Sequence, residues 1–565
     1  RVGACALVAG TAVAVYAMIL GTEGFIRDDR WLLAGNRLLR LGLEAVPRLL
    51  TSGYWESVAG AAAPVQEYRP LLSLSFLLHF MTSGALKWPM HAANILLHAL
   101  VCCLFLENAR RRIGWSAGLA AALLFAVLPV HVEAVSYITS RSELLVAASL
   151  LGAWLALDPA AGPYTPARRM FLGAALFWAG LLSKEHAILF PLLLALSDWT
   201  FHGLKPWSSG RLRTHALLAL CAAAYLGLRW LLLAHVIHGG TPYFSGTGRW
   251  VALLTMSNFA WRHYFWPSLS GIGLCADYSR PLVPDAGIHS WTAWLGLSAW
   301  ALLSAAALRG LYRREPWAFW VLAPAAFLLP TCNLIFPLDT IGAERFLYIP
   351  SMGLAALLGL AVARLQSRDR TAAHLLLTGA LVWYALAAAA RGRVWLSEPA
   401  YYAAAVACNP ASVRSRCALG TALIEKGEVA KGEAMLLGAL AQDPLYPKTY
   451  FNLARLAWDR GDAAKAESLA RQALALGPHD CAARVLLALC LERRGRLAES
   501  AARLEEVLTA VPWDSEALFN LGRIRLMTGQ ADAARPLFAR FARLAPDDPA
   551  AAQARALAEG RSPAP

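Results

Sequence analysis

Two adjacent carboxylates, Asp28 and Asp29, stand in the stretch GTEGFIRDDRWLLAGN, directly after about twenty apolar residues, the length that crosses a bilayer. Acidic pairs at such a boundary are costly unless they pair or react. A carboxylate placed there can deprotonate an attacking hydroxyl as a general base. Four further polar groups recur beside apolar runs: EYRP (67–70), LPVHVEAVSYITSRSELL (128–145), SKEH (183–186) and GAERFLYIPS (342–351). His131 and Glu133 open one apolar run, and Arg141 and Glu143 follow one or two turns further on, so that Glu133, Arg141 and Glu143 could line one polar stripe. Lys184–Glu185 and Glu344–Arg345 are adjacent opposite charges. Arg69, Lys184 and Arg345 are the types that would hold a lipid-linked phosphate, which gains charge as it loses its sugar. Tyr348, Trp31 and Tyr68 could stack on a sugar or anchor at the membrane interface. Any one pair can be an interfacial ion pair that orients a helix; five polar groups on one side of a membrane argue for a site.

The elements that must carry these groups are apolar. Of 565 residues, 58% are hydrophobic and 16% charged, more apolar than a soluble domain. Spans are expected near 2–20, 88–106, 116–130, 135–157, 169–183, 187–201, 214–235, 291–308, 317–336, 350–366 and 372–390, about eleven in all, with 2–20 read as an uncleaved anchor. The net charge of +15 falls in short loops: Arg110–Arg112, Arg168–Arg169, Lys205 with Arg211 and Arg213, Arg309 with Arg313–Arg314, and Arg364 with Arg368 and Arg370. Such loops face the cytoplasm, and no nucleic-acid motif accompanies them. Alternation holds if 250–266, rich in aromatics with Arg262 and His263, lies in the interface. Segments 21–87, 131–134, 184–186, 236–290 and 337–349 then face the other side, and the polar groups lie within them. The ten cysteines are scattered with no CxxC, so no zinc site is expected, and the sequence leaves a divalent metal open.

After residue 390 the hydropathy collapses and a repeat begins. Pro410, Pro444, Pro478, Pro512 and Pro546 are spaced by 34 residues, and Gly427, Gly461, Gly495 and Gly529 keep the same period. This is the tetratricopeptide signature. The sequence divides into a membrane domain (1–392), a half unit with four repeats and a cap (393–558), and a tail (559–565). Stacked helix pairs form a concave surface for a peptide. Asn452 and Asn520 occupy the same repeat position in two FNL triplets, where an amide could grip a peptide backbone. The ladder is broken by Ala418 and Leu486, and an Asn merely tolerated on a solvated face fits the same pattern.

The acidic pair in the first outer loop resembles the GT-C glycosyltransferases. FIRDD, YRPL, Asn94 with His98, HVEAVSYITSRSELL, SKE and AERFLYIPS, followed by tetratricopeptide repeats, resemble one branch closely: the transmembrane-and-tetratricopeptide-repeat protein O-mannosyltransferases and their bacterial relatives. The resemblance implies an all-α GT-C-like membrane domain followed by an α-solenoid. It implies inverting transfer of a mannose-like hexose from a polyprenyl- or dolichyl-phosphate donor to a protein Ser or Thr, with Asp28 or Asp29 as base. The donor phosphate or sugar would fall to Arg69, His131, Glu133, Arg141, Lys184, Glu185, Glu344, Arg345 and Tyr348, and the acceptor peptide to the groove of Asn452 and Asn520. Two departures stand out: Arg27 precedes the acidic pair where an aromatic or aliphatic residue is usual, and Glu143 replaces Asp. Arg27 beside Asp28 would lower its basicity. The same chemistry on a glycan or lipid acceptor, and a non-catalytic membrane scaffold presenting the repeats, remain alternatives. No Asn-x-Ser/Thr sequon occurs, which favours a bacterial inner membrane with the first loop and repeats in the periplasm over an endoplasmic reticulum membrane with both in the lumen.

Overall fold

The computed structural model of the chain describes residues 2–59, 67–159, 166–208, 210–233, 243–280, 282–336, 338 and 340–561. Residues 562–565 of the expected tail, and 60–66 and 236–242 of the two long outer segments, lie outside them. Among the described residues every regular element is helical, so the chain is all-α.

Space divides the chain differently from sequence. One unit joins Arg1–Ile26, Glu67–Ser75 and Leu86–Ala400; the other joins Arg27–Gln66, Phe76–Ala85 and Tyr401–Pro565. The first loop therefore clusters with the repeats.

The first unit holds five described helices long and apolar enough to cross a membrane: Val2–Gly21, Lys87–Ile113, Leu212–Leu233, Trp291–Tyr312 and Arg370–Trp395. Trp115–Val127 and Pro129–Ser136, bent by 52° at their junction, add a sixth if taken as one broken span. This corrects the expected eleven. Hydropathy counts apolar residues and is blind to breaks. The run 135–157 yields Arg141–Ala156, 187–201 yields only Phe190–Ser197 before the helix widens, and 317–336 yields Pro316–Ala326. These are shorter than the roughly 20 residues a straight span requires. With fewer full-length crossings, the alternation of loops no longer assigns sides by parity. The stretch Arg249–Ser270 is helical but interrupted by a wide turn at Ala260–Phe265 and is not among the candidate spans.

The bend after Leu128 follows from Pro129, which cannot donate the next helical hydrogen bond. In lipid, backbone groups freed by a break must be satisfied from within the protein. At the bend itself the Tyr16 hydroxyl donates to the Leu128 carbonyl at 3.3 Å and His98 Nε2 lies 3.3 Å from the Ala126 carbonyl. At the next interruption, after Val132–Ser136, the Asn94 amide donates to the carbonyls of Val135, Tyr137 and Ile138 at 3.2–3.4 Å. Arg141 donates to Asn94 Oδ1 at 2.8 Å and to the Met90 carbonyl at 3.0 Å. Close approach of helices rests on small residues; a side chain at Gly359 would strike the Ala117 carbonyl, and one at Gly353 the Trp320 carbonyl.

In the second unit the 34-residue period becomes antiparallel helix pairs: Val413–Glu425 with Val429–Gln442, Pro447–Asp459 with Ala463–Leu476, Cys481–Arg493 with Leu497–Ala510, and Ser515–Met527 with Ala531–Leu544. The turn within each pair carries a glycine at positive φ, 92° at Gly427, 84° at Gly461, 78° at Gly495 and 76° at Gly529, a conformation that a Cβ disfavours. Ala551–Ala558 covers the last pair, packing Ala554 into its core.

Candidate functional site

Charge pairs gather where short elements of the first unit meet. The 3₁₀ turn Glu344–Leu347 presents both its charges. Arg345 pairs with Glu133 at 2.5 Å, and the same carboxylate accepts the Arg345 backbone N–H at 3.1 Å. Glu133 sits in the short helix that follows the Pro129 break, so the break aims it at residue 345. The neighbouring Glu344 is 1% exposed, pairs with Arg391 at 2.8 Å and accepts from Tyr278 at 3.4 Å. Burial lifts its carboxyl to about 7 against the pull of Arg391, and the nearby Glu133 charge adds to the rise.

Lys184 leaves the end of the Ala167–Leu181 helix in extended backbone and pairs with Glu143, while His186 stands 3.6 Å from the same carboxylate. Burial lowers the Lys184 ammonium's pKa; Glu143 opposes this, and the cations Arg69 and Arg345 add to the lowering. The three cations expected to bind phosphate thus share one electrostatic neighbourhood. Phe346 joins two of them, with Lys184 Nζ 5.1 Å and Arg345 Cζ 5.2 Å from its ring centroid, within cation–π range. Arg69 is held by Glu67 at 2.8 Å and Glu185 at 3.2 Å, and Arg229 meets Glu185 at 3.3 Å. A small cavity of about 10 Å³, room for about one water, lies beside the cluster and is lined by Glu143, His186, Phe327, Thr331, Phe346 and Ile349.

Each cation has a glutamate partner, which offsets the cost of partial burial. Lysine and arginine are also the side-chain types that donate to phosphate oxygens. This arrangement suits a phosphate ester whose charge rises during reaction. Among the described residues no group of three or more His, Cys, Asp or Glu is placed to hold a metal ion.

Other candidates have structural surroundings. Arg141 is 1% exposed and committed to Asn94, Met90 and Ser75; it secures the helix break instead of lining a polar stripe with Glu133 and Glu143. His131 and Tyr348 are fully buried. His131 bonds Ser351 at 2.7 Å and packs on Phe125, and Tyr348 bonds His98 at 2.7 Å, so both belong to an aromatic core. Tyr68 is buried, tilted against Tyr225, while Trp31 is exposed. Sequence reading missed Arg229, Arg391 and Tyr278; a lone arginine inside an otherwise apolar run was the available signal for Arg229.

In the second unit Asp29 is 2% exposed and Asp28 half-buried. The preceding Arg27 has φ +56°, a left-handed conformation that costs on the order of 1 kcal/mol for a non-glycine residue. Its guanidinium donates to the Tyr401 hydroxyl at 2.9 Å. Asn520, 7% exposed, donates to the Glu516 carbonyl at 2.9 Å and accepts from Arg523 at 3.1 Å; Asn452 donates to Cys417 Sγ at 3.2 Å. These local bonds engage the amides that a groove ladder would need.

The tetratricopeptide repeat family matches residues 417–480, 451–512 and 493–558. Across most of the chain the similarity is to Protein O-mannosyl-transferase Tmtc1 of Drosophila melanogaster, 27% identical over 544 residues, covering 79% of this chain and 62% of that protein. Protein O-mannosyl-transferase TMTC3 of Mus musculus is 25% identical over 474 residues, covering 76% of this chain and 50% of that one. The chain spans about half to three-fifths of the length of these relatives. Among solved structures, ArnT from Cupriavidus metallidurans bound to undecaprenyl phosphate aligns at TM-score 0.38 and 15% identity, covering 90% of this chain and 81% of that one.

Proposed function

We propose that this chain, a relative of the Tmtc protein O-mannosyl-transferases, is a membrane glycosyltransferase that moves a mannose-like hexose from a polyprenyl phosphate to a protein Ser or Thr hydroxyl. The observation that carries the reading is that Arg69, Lys184 and Arg345, each held by a glutamate, lie within electrostatic reach of one another in the helical membrane unit. In this reaction Asp28 or Asp29 takes the acceptor hydroxyl proton as the oxygen attacks the anomeric carbon. The bond from that carbon to the phosphate oxygen breaks with inversion, and the lipid phosphate departs with an additional negative charge. Arg345, Lys184 and Arg69 stabilise that charge more strongly than the ester they first bind, which is how they accelerate the step. The reaction runs on the non-cytoplasmic face, the periplasmic side of a bacterial inner membrane; the reading is supported by the Lys87–Ile113 span, whose last turn carries Arg110–Arg112 while Asn94 lies toward its other end.

The purified chain in vesicles, supplied with polyprenyl-phosphate mannose and a Ser/Thr-rich peptide, tests this by mass spectrometry of the peptide. Hexose on the hydroxyl is the expected result. Hexose on a lipid or glycan acceptor instead would overturn the protein-acceptor reading, and no transfer to any acceptor would overturn the enzyme reading.

A further inference from the structure

The acidic loop is joined to the repeats at both ends of their stack. On one side of Asp28–Asp29, Arg27 donates to the Tyr401 hydroxyl at 2.9 Å and lies 5.5 Å from its ring centroid. On the other side, Arg30 makes a two-point pair with Glu425, at 2.7 and 2.6 Å, at the end of the first repeat's leading helix. Further on, Leu38 enters the core of the last repeat with Trp513, Leu518, Phe538 and Phe541. Arg40 pairs with Asp547, Glu44 with Arg543 at 3.1 Å, and Arg48 stacks over Trp513 at 4.0 Å. Between Arg30 and Leu38 the chain passes from the first repeat to the last, carrying polar anchors at one end and an apolar anchor at the other.

A surface ion pair contributes little to stability, but a planar two-point arginine–carboxylate pair fixes orientation. Both residues flanking the acidic pair are arginines held by the repeat unit, and one of them is in left-handed backbone. Such strain persists only where the surroundings over-determine it. We infer that the tetratricopeptide repeats are part of the catalytic apparatus: Tyr401 and Glu425, through Arg27 and Arg30, are positioning residues that set the geometry of Asp28–Asp29. This rests on the proposed role of that pair as base. Repeats that merely docked a partner would have no need to hold this loop.

The full-length chain tests it with Arg30→Glu, Glu425→Arg and the double exchange, beside Asp28→Asn with Asp29→Asn. Each single exchange should lower kcat about tenfold to a hundredfold, the scale of a small misplacement of a reacting group, while the KM for polyprenyl-phosphate mannose stays within about twofold. The double exchange should restore kcat. Hydrogen exchange of residues 27–38 should quicken in each single exchange and slow again in the double one. Wild-type kcat in both single exchanges, with the asparagine variant inactive, would overturn the positioning role while sparing the base assignment. An active asparagine variant, with exchange altered as expected, would overturn the base assignment and the inference with it, and show that the repeats hold a loop without catalytic duty.

Discussion

Two ionic clusters sit toward opposite ends of the Lys87–Ile113 helix, and they are built differently. Asn94, near its start, meets the carbonyls where the short helix of Glu133 ends; Arg112 lies at its other end, about 27 Å away at 1.5 Å per residue. At that far end Arg211 and Asp198 form a two-point pair, 0% and 1% exposed, with His215 3.1 Å from the same carboxylate. Asp158 there gathers Arg111 at 3.2 Å, Arg112 at 3.9 Å and His202 at 3.3 Å. At the near end Arg345 is 23% exposed and Glu185 21%. A sealed pair saturates itself and serves architecture. Exposure thus separates Arg345 from Arg211, whereas Lys184 and Glu143, 8% and 2% exposed, are nearly as closed as the far pair.

The largest effect should come from breaking the sealed cluster. Arg211→Ala takes from buried Asp198 its two-point partner, leaving His215 and the more distant charge of Arg112, and removing one partner of a buried pair costs roughly 3–5 kcal/mol. That is a large share of a domain's stability, so folded protein recovered from membranes should fall sharply; wild-type yield and melting temperature would erase the distinction between the clusters. Arg345→Ala should behave oppositely. The protein should fold and insert normally, but affinity for polyprenyl-phosphate mannose should drop about tenfold to a hundredfold, the worth of a charge-assisted hydrogen bond. Arg345→Lys, which keeps the charge and loses the fork, should fall between. Titrations of the donor against the purified variants decide it.

The smallest expected effect is a pH dependence. Glu344 is raised to about 7 by burial, so it is largely neutral below that pH and ionised above it. The ionised form sets a second anion beside Arg345, so donor affinity should weaken about twofold to fivefold between pH 6 and pH 8, the scale of a partly screened charge interaction. Glu344→Gln should flatten the profile. A profile of unchanged slope in that variant would assign the titration to another group.

Legibility in the sequence followed the range of the interactions. The repeats were readable because their determinants are local: a glycine at each tight turn and a proline after each pair, every 34 residues. The span count was not, because apolar windows conceal breaks, and the carbonyls at the break after Val132–Ser136 are met by Asn94, 41–44 residues away from them. The residue types of the site were legible, whereas their pairings were not. Glu133 and Arg345 are 212 residues apart, and nothing local couples them. For the same reason Arg141 and His131 read as site residues from their spacing, although their surroundings are those of a core. The union of the first loop with the repeats had no sequence signal either, since it depends on Leu38 meeting a core built almost five hundred residues later.

The central claim is tested most directly by the acidic pair itself. The full-length chain carrying both Asp28→Asn and Asp29→Asn, which preserves size and removes basicity, is compared with the unaltered chain for transfer of mannose from polyprenyl phosphate to a peptide hydroxyl, with donor binding measured alongside. Donor affinity should stay within about twofold of the unaltered chain, and the transfer rate should fall at least about 10²-fold, the usual contribution of a general base. Transfer at the unaltered rate in the double variant would contradict it.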